Sequence, residues 1–312
     1  MSRLDDGQQA LLRLLERLAA EAYAFTTITP GSHGRILERD GRDGHDLRDL
    51  LGWSRTVPRT ALAPEIVEWL EQAGALEIDG GRVRSRLRVS TVGGRLFLHS
   101  AYPTRAHDAV FLGPDTYRFA RFVSERIEAG LRPRRIVDIG AGAGVGGVLA
   151  ALAAPDAELV LTDLNPAATR LAQVNAAHAG VDALFLETEG LKALSGGLDL
   201  VLANPPFMAN VRQTYSSGGD LHGAALSLQW AEEALERLTP GGRMLMYTAS
   251  AIQKGGEDRL KRELEQLAAA HGARLDYLEI DPDIFGEVLS QQAYADVERL
   301  AAVGVTLVCQ AA

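Results

Sequence analysis

Cysteine is almost absent. The 312 residues hold a single one, Cys309, so no internal disulfide can form. No apolar run approaches the roughly eighteen residues of a membrane span. The opening Met1-Ser2-Arg3-Leu4-Asp5-Asp6 lacks the basic-then-apolar layout of a signal peptide, so a cytoplasmic protein without a membrane partner is expected. The seven histidines show none of the paired spacings of a zinc site, and no metal is expected. Neither an internal repeat nor a low-complexity tract is visible. What is present is ordinary globular composition: 46% hydrophobic, 23% charged, mean hydropathy −0.03. A collagenous, disulfide-stapled or wholly disordered chain is thereby excluded.

Charge is divided unevenly. Residues 1–110 carry 15 basic against 15 acidic side chains, and residues 111–312 carry 17 against 26, the source of the net −9. The later part is not a surface that grips phosphate backbones by itself; if a polyanion binds, the first part should help hold it.

Helical spacing of Leu11, Leu14, Leu15 and Leu18 predicts an amphipathic helix over 8–24. Residues 26–44 read as an irregular connection with a short helix around Ile36, followed by helices over 47–53 and 65–73. Three strand-like runs come next, 75–78, 82–90 and 95–99, separated by Asp79-Gly80-Gly81 and Gly93-Gly94, both good hairpin turns. Helices followed by hairpins suggest a winged-helix-like module over residues 1–104, for substrate binding or dimerisation. In its middle strand Arg82, Arg84, Arg86 and Arg88 alternate with other residues, which puts four guanidinium groups on one face. That face is either a solvated strand surface or a wing that rests on phosphates.

From about residue 105 to 312 strands and helices alternate, the pattern of a mostly parallel α/β sheet with helices on both sides. The buried-strand run Ile136-Val137-Asp138-Ile139 ends in Gly140-Ala141-Gly142-Ala143-Gly144 just before a helix, a turn that lets a ligand approach the backbone. It contains the spacing Gly142-x-Gly144-x-x-Gly147, so a nicotinamide or flavin oxidoreductase has to be weighed. A second strand ends in Asp163, where a ribose-binding carboxylate belongs. Asp138 distinguishes a dinucleotide from a ligand with a cationic end: a carboxylate there suits the cationic end and is awkward beside a pyrophosphate. It can equally tie down the glycine loop by accepting backbone hydrogen bonds.

A further strand, Leu200-Val201-Leu202-Ala203, delivers Asn204-Pro205-Pro206-Phe207 to the carboxyl edge. A planar amide or amino nitrogen is a poor nucleophile because its lone pair is delocalised. The Asn204 side-chain oxygen and the Pro205 carbonyl can each accept one N–H and aim that lone pair. The prolines, Pro206 included, hold the acceptors in place, and Phe207 offers a face for stacking a planar group.

These residues resemble class I S-adenosylmethionine-dependent methyltransferases, and the Asn-Pro-Pro-Phe tetrad resembles the N-directed ones: RNA or DNA adenine-N6 and guanine-N2 enzymes, and HemK-type protein-glutamine enzymes. The resemblance covers roughly residues 107–250. It implies a Rossmann-like seven-stranded sheet and S-adenosyl-L-methionine as cofactor. Cofactor contacts would fall on Asp138, Gly140, Gly142, Gly144, Asp163, Leu164 beside the adenine, Glu189 (or Glu187) facing the adenine amino group, and Asn204. Val110 to Tyr117, with Thr116, looks like the segment that closes over the methionine part, and Asp115 or Thr116 also suits a helix cap. Asn204, Pro205 and Phe207 would act in catalysis, and Pro206, Phe207 and His222 would meet the substrate. His222 lies in a glycine-rich loop from Gly218 that can flex over the target pocket; a merely solvated histidine fits the same pattern. The insertion over 281–302, with Asp283, Phe285 and a helix expected from Ser290, is either a lid or the cover of an edge strand.

Two departures matter. The family motif usually ends in Tyr, and the first module does not look like the helical bundle of release-factor enzymes. Substrate identity therefore does not carry over from the family; RNA or a protein glutamine is the first reading, with a small-molecule acceptor and a non-catalytic nucleic-acid-binding pseudo-enzyme as rivals.

Overall fold

The computed structural model describes residues 3–128, 130–207 and 221–310. Asp5 caps α1 (Asp6–Ala20) through a reciprocal pair with Gln8: each backbone N–H donates to the other's side chain, and Leu14, Leu15 and Leu18 are buried. The short helix expected around Ile36 is α2 (Pro30–Asp40), started by Thr29 and Pro30 and taking up much of a connection expected to be irregular. Then follow α3 (Leu47–Leu51), β1 (Val57–Pro58), α4 (Pro64–Gln72), β2 (Leu76–Asp79) and β3 (Arg82–Ser85), with β1, β3 and β2 forming a three-stranded antiparallel sheet.

The strand expected over 82–90 is broken at Arg86. Ser85 Oγ donates to the Leu87 carbonyl (2.7 Å) and accepts its N–H (3.0 Å), a local side-chain bond that competes with the ladder. After the break, β4 (Leu87–Val92) pairs with β5 (Arg95–Ser100) in a separate hairpin, turned at Gly93 and Gly94, both at positive φ. The four arginines therefore do not share a face. Arg82 pairs with Asp43 and Arg88 is 4% exposed.

The second half supplies α5 (Pro114–Glu128), β6 (Arg135–Ile139), α6 (Val145–Ala153), β7 (Glu158–Asp163), α7 (Pro166–Ala179), β8 (Leu184–Glu187) and β9 (Leu198–Ala203). Next come α8 (Ala225–Leu235), β10 (Leu238–Gln253), β11 (Glu257–Asp258), α9 (Arg259–Ala270), β12 (Ala273–Asp281) and β13 (Val297–Cys309). The strands lie in the order β12-β13-β10-β9-β6-β7-β8, with β11 pairing β10 off this path; β13 runs antiparallel to both of its neighbours. Alternate residues of the central strands face opposite cores: Ile136, Leu200 and Leu202 join α5–α7, whereas Val137, Val201 and Ala203 join α8 and α9. The helix expected from Ser290 is replaced by two short 3-10 turns, Gly286–Ser290 and Gln292–Tyr294.

The first core continues without a break from α1 and the β4–β5 hairpin into α6 and α7. Asn175 is central to that junction. Fully buried on α7, it accepts the Leu98 N–H (2.8 Å) and donates to the carbonyls of Leu98 (3.1 Å) and Ala143 (2.8 Å). One amide thus acts as a partner strand for β5 and steadies the glycine loop. Asn175→Leu strands those buried groups and is expected to cost about 3 kcal/mol in urea unfolding, from the usual penalty per unsatisfied group; a change under about 0.5 kcal/mol would refute this role.

Candidate active site

Strand register sets the site. Ile139 of β6 lies opposite Ala203 of β9 and Thr162 of β7, so Gly140, Asn204 and Asp163 leave adjacent parallel strands in one row along the carboxyl edge. From the Asp163 strand to the Asn204 strand is two strand spacings, about 10 Å. Glu187 ends the row on β8, and Tyr247 of β10 flanks Asn204 on the other side.

Gly140, Gly142 and Gly144 all have positive φ, at 61°, 54° and 78°, which explains the alternation with alanine. A side chain on Gly140 would strike Trp230, whereas one on Gly142 meets nothing within 4 Å, so open space lies above the loop there. The loop is held from below. Asp163 accepts the N–H of Gly142 through Oδ2 (2.8 Å) and of Asn165 through Oδ1 (2.8 Å), and Asp138 Oδ2 accepts the N–H of Gly147 (2.8 Å). Several amides of the turn are thus engaged within the protein, not all left for a ligand.

Asp138 is 1% exposed, and burial pushes its carboxyl up to about 7, opposed by the Gly147 N–H and reinforced by the charge of Asp163. The folded protein therefore holds a proton that the unfolded chain has lost, and between about pH 4 and 7 stability falls as pH rises. Urea unfolding of the cofactor-free protein should lose up to about 4 kcal/mol across that window relative to Asp138→Asn. Parallel pH profiles would contradict the assignment.

Thr116 is buried and its Oγ1 accepts the Gly113 N–H (3.3 Å), so it shapes the segment before α5. Leu164 is 56% exposed beside Asp163, a free apolar surface. Glu189 is exposed and paired with Lys192 (2.5 Å). His222 Nε2 lies 3.0 Å from Asp296, with its ring tilted near Tyr294. Residues 218–220 of its loop lie outside the described residues.

Asn204 is half-buried, Pro205 buried, Pro206 half-buried, and Phe207 8% exposed. Phe207 packs against Phe285 (5.8 Å between centroids) and edge-on to Tyr247 (6.3 Å). Phe285 sits in the left-handed region (φ 54°) beside Ile284, whose N–H donates to the Leu300 carbonyl. The insertion thereby reaches the site. Tyr247 in turn donates to buried Asp115 (2.6 Å), whose carboxyl is raised by burial; Arg118 stands 3.5 Å from Asp115 and pairs with Asp281. Sequence reasoning missed Asn175, Tyr247 and Trp230. For Asn175 a signal existed, an amide on the apolar stripe of α7.

A seven-strand path with one reversed strand, a glycine turn after β6 and an acid ending the neighbouring β7 defines a class I S-adenosylmethionine-dependent methyltransferase. The open space above Gly142 and the exposed Leu164 fit that cofactor. The chain belongs to the methyltransferase small domain family, which matches residues 106–274. It is 31% identical over 176 residues to the release factor glutamine methyltransferase of Deinococcus radiodurans, covering 55% of this chain and 62% of that one. It is 32% identical over 214 residues to ribosomal RNA large subunit methyltransferase G of Pseudomonas putida, covering 63% of this chain and 54% of that one. The chain thus spans less than two thirds of the length of each of these two relatives. A solved transferase from Pyrococcus horikoshii shares the fold, with a TM-score of 0.50 at 12% identity over 79% of this chain and 83% of that one. Among the described residues no helix is long and apolar enough to cross a membrane, and no acidic, histidine or cysteine cluster could hold a metal.

Proposed function

We propose that the chain is an N-methyltransferase that transfers a methyl group from S-adenosylmethionine to an amide or exocyclic amino nitrogen of RNA or a protein glutamine, in the cytoplasm. The observation that carries this is the row of Asp163, Gly140 and Asn204 on adjacent strands. Asp163 and Leu164 would hold the ribose and adenine, and the glycine turn and Asp138 the methionine end. Thr116 shapes the covering segment. The bound cofactor supplies an electrophilic sulfonium methyl.

The chain's own residues do the rest. The Asn204 side-chain oxygen and the Pro205 carbonyl each accept one N–H of the target, localising its lone pair and directing it along the line of transfer. Pro206 keeps the turn rigid, and Phe207, braced by Tyr247 and Phe285, supplies the stacking surface in place of a tyrosine. His222, with Asp296 as its partner, stands at the substrate side, and Glu189 at the adenine side. Residues 1–104 are read as a winged-helix-like substrate-facing module, supported by helices followed by a three-stranded antiparallel sheet.

The test is incubation of labelled S-adenosylmethionine with RNA, protein and small-molecule fractions. Label in RNA or in protein glutamine supports the reading; label only in small molecules, or in none, overturns it.

A further inference from the structure

A groove of about 670 Å³ lies between α1, β2 and the segment after β3 on one side and the first turns of α7 on the other. Arg84, Arg86, Glu77 and Tyr102 line one wall, and Asp108 and Arg170 the other. Directly behind the first wall is Arg88, whose Nε donates to the carbonyl of Ser100, itself a lining residue (3.2 Å). Arg88 is 4% exposed, and among the described residues no carboxylate figures among the groups that act on its charge. Burial pushes its guanidinium down to about 10, and the neighbours that act to hold its proton are the hydroxyls of Tyr117, Tyr23 and Tyr102. His33 and His99 nearby are both pushed down by burial and by Arg88 itself, so neither counters its charge. A buried charge without a counter-ion is costly and is normally matched by something.

The ion pairs within the groove are of the kind easily exchanged. Arg86 and Arg84 share one carboxylate, Glu77, at 3.3 and 3.9 Å, and the Arg86 side chain is 62% exposed. Arg170 is held by Asp5. Three guanidinium groups, Arg84, Arg86 and Arg170, and two carboxylates, Glu77 and Asp108, line the groove, with Asp5 pairing Arg170 from outside it. Tyr102, stacked on His33 at 4.2 Å, adds an aromatic side chain to the same wall. The far end leads to the cofactor edge: the Asp108 carbonyl accepts from Asn165 Nδ2 (2.9 Å), two residues beyond Asp163.

We infer that this groove holds the phosphodiester backbone of a single-stranded RNA segment flanking the methylated nucleotide, with Arg84 and Arg86 on phosphates and Tyr102 against a base. Arginines with an aromatic suit a single-stranded nucleic acid, because guanidinium binds phosphate in a bidentate manner and an aromatic face stacks any base. This rests on the N-methyltransferase reading and selects RNA over protein within it.

The experiment is binding of a fluorescently labelled twelve-nucleotide single-stranded RNA of mixed sequence, measured across a salt series. Arg84→Ser/Arg86→Ser should weaken binding and make the salt slope shallower by about 1.4, the contribution of two single-strand phosphates. Arg86→Ser alone, at an exposed position, should give about half that change, and Glu77→Gln should tighten binding. Stabilisation by adenosylhomocysteine should stay as in the wild type for every variant. Absence of RNA binding, an unchanged slope in the double variant, or arginine-dependent binding of an acidic peptide in preference to RNA would overturn the inference. Arginine-dependent RNA binding without any adenosylhomocysteine effect would support the groove and sink the methyltransferase reading instead.

Discussion

Replacing Asn204 by alanine is expected to lower methyl transfer by about 10²–10³-fold, the usual effect of removing one positioned polar group from a reacting centre. Stabilisation by adenosylhomocysteine on thermal unfolding should persist, because the glycine turn and Asp163 are unchanged. The expectation follows from position. Asn204 is the first residue beyond β9, next to Gly140 by register and half-buried at the sheet edge. The measurement is transfer of label to whichever fraction accepts it from the wild type. Transfer at the wild-type rate would remove Asn204 from the mechanism. Loss of transfer together with loss of the adenosylhomocysteine effect would make it a cofactor residue.

Gly140→Ala is expected to be the most damaging single-methyl change at the cofactor turn. The residue sits at φ +61°, and an added Cβ would lie 2.7 Å from the Trp230 ring. A left-handed alanine costs about 1–2 kcal/mol and overpacking about 1–3 kcal/mol, so a loss of about 2–5 kcal/mol in urea unfolding is predicted. Gly142→Ala is the control. Its φ of +54° carries the same backbone strain, but nothing lies within 4 Å of its Cβ. It should cost only about 1–2 kcal/mol of stability while weakening adenosylhomocysteine, since its methyl projects into the space assigned to the ligand. Equal stability losses in the two variants would show that Trp230 does not constrain the turn.

Much of the site was legible because its signals are local. Glycines alternating with alanine after an apolar strand, an acid at the end of the next strand and Asn-Pro-Pro after a third each reflect a conformation that their own residues impose. The stretch from Arg82 to Arg88 shows where that reasoning failed. Period two predicted one cationic face, but the Ser85 hydroxyl closes on Leu87, and Arg88 turns into the interior of a separate hairpin. The insertion was seen as a possible cover, yet the meeting of Phe285 with Phe207 depends on Ile284 bonding to Leu300, a pairing invisible to sequence spacing.

By itself the sequence determined the alternating α/β architecture, the glycine turn, Asp163 and the Asn204 tetrad, since hydrophobic period and turn chemistry act over a few residues. Only the tertiary structure decided that Asn204 stands beside Gly140, that Tyr247, bonded to Asp115, packs against Phe207, that Asn175 fastens β5 to the glycine turn, and that arginines line a groove. Each of these joins residues far apart in the chain, and strand order and packing, not local propensity, bring them within reach.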